Sequence, residues 1–127
     1  MSKLIGYVLP GDDRVRFEDI EDDTLPQLQR LVGGHFDLFK FGTERGDVDA
    51  WVHDEGLLIG LPVNHLAAAI VEHESGHRLA SPLVGPVVLT CADGPETTAL
   101  SYALVERFEQ YRMFVSEYGI LVQVPTS

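Results

Sequence analysis

Positive charge is scarce in this 127-residue sequence: nine lysines and arginines face twenty aspartates and glutamates, for a formal net charge of −11. Such a chain repels phosphate backbones and anionic lipid surfaces at long range, so direct binding to nucleic acid or to a membrane surface is not expected. Cysteine is nearly absent. Cys91 stands alone, which excludes an internal disulfide and points to a reducing cytoplasm, and its place in the apolar run 86–92 suits a small hydrophobe better than a nucleophile. Long apolar runs are missing too. The best, residues 57–63, contains Gly60 and Pro62 and falls far short of the about 18 apolar residues that a membrane helix requires. The first residues, MSKLIGYVLPGDD, are broken by Gly6, Pro10 and Gly11 in a way no signal peptide is. Nor is there a phosphate-binding loop, because Gly42-Thr43-Glu44-Arg45-Gly46 lacks its spacing and its Lys-Ser/Thr ending. The residues call for no cofactor and no resident metal.

What is present suffices for one domain spanning residues 1–127. Hydrophobic residues make up 45% and charged residues 23%, and a chain of this length buries roughly two thirds of its unfolded surface. Strand formers at 3–9, the turn Pro10-Gly11-Asp12-Asp13 and alternation over 14–20 read as a hairpin. Thr24 and Gln27 match a capping box, and Leu25, Leu28, Leu31 and Val32 follow at helical spacing until Gly33-Gly34. Residues 35–41 read as an aromatic strand. Residues 48–53 and 57–61 read as a second hairpin around Asp54-Glu55-Gly56. Asn64 is placed to cap an alanine-rich helix that Gly76 stops, and residues 87–92 form a buried strand. From 96 to 118, Leu100, Leu104, Phe108, Tyr111 and Val115 recur at spacings of three and four, which predicts a long C-terminal amphipathic helix; Glu106, Arg107, Glu109 and Arg112 fall mostly off its stripe. That stripe could cover the chain's own sheet or a second subunit's, which would make a homodimer. A last strand is expected at 120–124. The expected fold is α+β, a mainly antiparallel or mixed sheet packed by two longer helices and one short one, in the order ββαβββαβ(αβ).

One motif has the form of a catalytic site. His73-Glu74-Ser75-Gly76-His77 matches H-E-x-x-H, in which two histidines one helical turn apart hold zinc and the glutamate activates water; Glu106 or Glu109 would complete the ligands of a zinc-dependent hydrolase. Against it stand Gly76, a helix stop between the two histidines, and Arg78, a cation directly after the second. The alternative is a polar helix end whose histidines stabilise its terminal carbonyls. Two acidic features remain as binding candidates: the cluster containing Asp19, Glu21 and Asp22, and the loop tip Asp54-Glu55, where paired carboxylates suit a partner's arginines.

The pieces Leu28-Gln29-Arg30-Leu31-Val32-Gly33-Gly34, Trp51-Val52-His53-Asp54-Glu55-Gly56, Gly60-Leu61-Pro62-Val63-Asn64 and Gly85-Pro86-Val87-Val88 resemble, in this order, a family without assigned function: small proteins of actinobacterial phages and plasmids. The resemblance covers residues 3–92 and leaves the C-terminal helix outside. Relatives tend to carry Asn-Glu-Glu-Gly where this chain has His53-Asp54-Glu55-Gly56. The resemblance implies a mobile-element protein in a bacterial host's cytoplasm, acting by binding a protein partner. An inhibitor of a host or defence protein, by DNA mimicry among other means, fits that setting, with Asp54, Glu55, Asn64, Asp19, Glu21 and Asp22 as candidate binding residues.

Overall fold

The structure, a computed structural model, describes residues 2–126. Its elements are β1 (Leu4–Val8), β2 (Arg16–Asp19), α1 (Thr24–Val32), β3 (Phe36–Thr43), β4 (Gly46–His53), α2 (His65–Ser75), β5 (Val87–Asp93), β6 (Glu96–Thr98), α3 (Tyr102–Phe108), β7 (Arg112–Ser116) and β8 (Gly119–Gln123). The expected α+β class holds. Strands β2-β1-β5-β4-β3 form an antiparallel sheet with β6 added beside β5, and β7 and β8 form a separate two-stranded sheet.

Side-chain alternation assigns the two faces of the large sheet. Ile5, Trp51 and Val88 point to one face and pack with Leu28 and Val32 of α1. Val8, Val48, Ala50, Val87 and Leu89 point to the other and pack with Leu66, Ile70, Leu104 and Phe108 of α2 and α3. Strand β5 is buried from both sides, which explains why it reads as an unbroken apolar run. Each large aliphatic side chain so enclosed contributes roughly 1.5–3 kcal/mol. Trp51 anchors the α1 side: its ring meets Phe36 edge-on at 5.1 Å, and its Nε1–H donates to the Thr90 hydroxyl at 2.9 Å.

Several expected signals form as read. The first hairpin pairs Leu4 with Asp19 through Tyr7 with Arg16. Gly33 and Gly76 end α1 and α2 in the left-handed conformation, at φ 90° and 74°. The capping box does not form. Asp23 is the N-cap and makes no side-chain cap bond, while Gln27 reaches back to accept from Glu21 N and to donate to Asp19 O, tying α1 to β2.

Two segments depart from expectation. Residues 57–61 are not a strand. Their backbone groups are taken by successive turns, Gly56 N to His53 O, Ile59 N to Glu55 O and Leu61 N to Gly56 O, so β4 pairs with β3 instead, across the Glu44-Arg45 turn. The C-terminal helix of 96–118 is replaced by β6, α3, β7 and β8. Leu100, Leu104, Phe108 and Tyr111 are buried in the chain's own core as their periodicity implies. Ser101 nevertheless caps a helix that runs only to Phe108, and the β-prone sequence Arg112-Met113-Phe114-Val115-Ser116 pairs with residues 119–123 around Gly119, at φ 123° a turn residue rather than a helix stop. The last strand therefore joins β7 and not the main sheet. No helix among the described residues is long and apolar enough to cross a membrane.

Candidate functional site

Asn64 shows how this fold uses a polar residue that the sequence offers for binding. Its carbonyl oxygen accepts from Ala67 N, capping α2, and its amide donates to Val8 O and Gly85 O at 2.9 Å each. It is 1% exposed. Asn64 is thus corrected from a binding candidate to a staple joining β1, α2 and the approach to β5, with no polar group left for a partner.

The H-E-x-x-H residues are not brought together as their spacing implies. Helix α2 ends at Ser75 and the left-handed Gly76 turns the chain before His77, so the two histidines are not one turn apart on a helix, although both line one shallow depression with Glu72. The Glu74 side chain is 2% exposed, and its Oε2 pairs with Arg107 Nε at 2.9 Å and accepts from the Tyr111 hydroxyl. Among the described residues no three histidine, cysteine, aspartate or glutamate side chains are grouped to hold a metal, and Glu106 is solvent-exposed. Arg107 is the residue that the periodicity missed: it reads as off the stripe, yet it is 6% exposed because Glu74 draws it inward. Burial, and then the bond to Glu74 and its negative charge, push the Tyr111 phenol well above its ordinary value. Cys91 is half-buried, and burial together with Asp49 and Asp47 raises its thiol, the opposite of what a nucleophile needs.

Part of the acidic cluster of the first hairpin is ion-paired within the chain. Asp12 forms a two-pronged ion pair with Arg16 at 2.9 and 2.8 Å, and Arg30 reaches both Glu18 and Glu21, at 3.0 and 3.2 Å. Asp19 and Asp22 remain exposed without ion pairs among the described residues.

The loop at Asp54-Glu55 is different. The His53 ring accepts Glu55 N–H at Nδ1, 3.1 Å, and an Asp54 carboxylate oxygen lies 3.7 Å from the same nitrogen. Both carboxylates face solvent. The turns that follow thrust Leu57, Leu58 and Ile59 outward, 62%, 87% and 56% exposed. Two glycines let this loop lie against the approach to β5. A Cβ at Gly56 would meet Val84 at 2.9 Å, and one at Gly85, where φ is 72°, would meet Leu61 at 2.6 Å. Between loop 54–58, segment 81–84 and the outer strand β3 lies a cleft of about 590 Å³. Phe39, Val52 and Leu83 give it an apolar floor, and Asp37 and Asp54 are the charged residues at its walls; no lysine or arginine lines it.

The sequence match to a known family begins at the first strand and crosses this cleft. The chain belongs to the DUF3846 family. This domain of unknown function is matched over residues 3–113, so the family region runs past residue 92 and takes in β6, α3 and the start of β7. Neither a curated protein nor a solved structure matches the chain. The DUF3846 match takes in every residue that lines the cleft. Reading 57–61 as a strand concealed it, although three consecutive large aliphatic residues after Asp-Glu-Gly and before Gly60 carry the signal of a protruding tip.

Proposed function

We propose that this domain is a non-enzymatic binding module that takes up an apolar, positively charged segment of another protein in the cleft between loop 54–58 and β3. The observation that carries this reading is the exposure of Leu57 and Leu58, followed by the exposed Ile59, on the rim of a cleft whose charged wall residues, Asp37 and Asp54, are both acidic; Leu57 and Leu58 line it. Contiguous apolar side chains held in solvent are expensive to maintain and mark contact surfaces. Because they flank an open cleft rather than enclose a cavity, the occupant they suit is a polypeptide segment, not a small molecule. Asp37, Asp54 and Glu55 select lysine or arginine beside its apolar anchors.

The resemblance to phage and plasmid proteins supplies a setting: the partner would be a protein of the bacterial host's cytoplasm or its defences, and occupancy would inhibit it. Ion pairing within the first hairpin favours the cleft over DNA mimicry by the acidic cluster, since mimicry needs free carboxylates in series.

Selection of short peptides from a random library on the intact protein tests the reading. Enrichment of sequences with two or more aliphatic or aromatic residues flanked by Lys or Arg is expected, bound at least tenfold more weakly by Leu58→Ser and more weakly as salt rises. Enriched peptides that bind Leu58→Ser as tightly as the natural sequence would overturn it.

A further inference from the structure

A second, smaller cavity of about 100 Å³ lies where the β3–β4 turn, the end of α2 and α3 meet, lined by Glu44, Arg45, His73, Glu74 and Arg107. Its floor is unusual. Of the N–H groups of the buried Arg107 guanidinium, only that on Nε meets a protein acceptor among the described residues, the Glu74 carboxylate. No buried side-chain nitrogen or oxygen is sealed off without a partner. The two terminal nitrogens of Arg107 therefore open onto the cavity that this residue lines, with donors and no acceptor. Arg45, at the exposed tip of the turn, forms no ion pair among the described residues, and the His73 ring is set edge-on against Tyr111 at 6.1 Å. Arg107 and Tyr111 both bind Oε2 of Glu74, which leaves its Oε1 without a protein partner at the cavity among the described residues; Glu74, offset by Arg107, and Glu44 on the rim are the opposing charges.

We infer that this cavity binds a single tetrahedral oxyanion of the phosphate or sulfate class. Three donor groups converge from three elements, Arg45 on the turn, His73 on α2 and Arg107 on α3, an arrangement that suits several acceptor oxygens pointing in different directions. A planar carboxylate would be matched by one guanidinium fork alone. The screening length of about 8 Å at physiological ionic strength limits repulsion from the chain's remaining carboxylates. The site is separate from the proposed cleft, and neither depends on the other.

The test is an NMR titration of the ¹⁵N-labelled protein with inorganic phosphate, methyl phosphate, sulfate or acetate, at constant ionic strength. Saturable shifts of the Arg107 Nε–H and Arg45 amide signals are expected with phosphate, a weakening of at least tenfold in Arg45→Gln, and a severalfold strengthening in Glu44→Gln. Methyl phosphate matching phosphate would identify an esterified group as an acceptable source; phosphate alone binding would restrict the site to the free ion. A double variant, Glu74→Met with Arg107→Met, removes the buried ion pair as a unit and should abolish binding in a folded protein. Shifts that do not saturate, phosphate affinity unchanged in Arg45→Gln, or acetate binding as tightly as phosphate would overturn the assignment.

Discussion

Loop 54–61 and helix α2 are neighbours in the chain and opposite in how they place their side chains. Helix α2 and its cap turn two polar residues inward: the Asn64 amide donates to Val8 and Gly85, and Glu74 Oε2 is held by Arg107 and Tyr111. The loop turns its apolar residues outward, with Leu58 the extreme at 87% exposed. Polar residues singled out in the sequence, Asn64 and Glu74, make interior hydrogen bonds, whereas the aliphatic residues that look like a core strand stand in solvent.

The largest effect that would break this contrast is at Glu74. Glu74→Ala leaves the Arg107 charge buried without its partner and should destabilise the domain by about 3–5 kcal/mol in urea unfolding; a loss below 1 kcal/mol would mean that the ion pair is not the staple described. Next comes Asn64→Ala, which removes a helix cap and leaves Val8 O and Gly85 O without their donor, for a loss of about 2–3 kcal/mol. The alkaline limb is smaller and has a definite sign. Because the Tyr111 phenol is raised in the folded state, the unfolded chain ionises first; its stabilisation is complete below pH about 10 and is lost above it, by at most about 1.4 kcal/mol per pH unit. Unfolding curves for Tyr111→Phe should lack that increment. At the other extreme, Leu58→Ser should change stability by no more than about 0.5 kcal/mol, since the side chain has little burial to lose.

Local chemistry made much of the fold legible. Asn64, Gly33 and Gly76 act at helix ends through their own side chain or their own φ, and the 87–92 run is apolar because both faces of β5 are covered. The C-terminal third was not legible for a physical reason. Leu100, Leu104, Phe108 and Tyr111 are spaced as on one helix and all become buried, but a short helix followed by a loop satisfies the same spacing, and Val115 beyond them is 70% exposed on β7. Periodicity reports which residues seek the core, not how the backbone carries them there. At the candidate site, Asp54 and Glu55 were legible as a charged tip. The apolar tip beside them was not, because Leu57, Leu58 and Ile59 have strand propensity and only Gly56 and Gly85, which admit the close packing of the loop on segment 81–85, reveal the alternative. Arg107 was hidden because its partner Glu74 lies 33 residues away in the chain.

Methyl NMR of the protein titrated with a library-selected peptide bears most directly on the claim that the cleft is the binding surface. Shifts centred on the methyls of Leu57, Leu58, Val52, Leu83 and Val84 are expected, with Val15 and Ile20 of the acidic hairpin and Leu79 beside His77 unmoved. Shifts centred on the hairpin or on the end of α2, with the loop methyls silent, would contradict it.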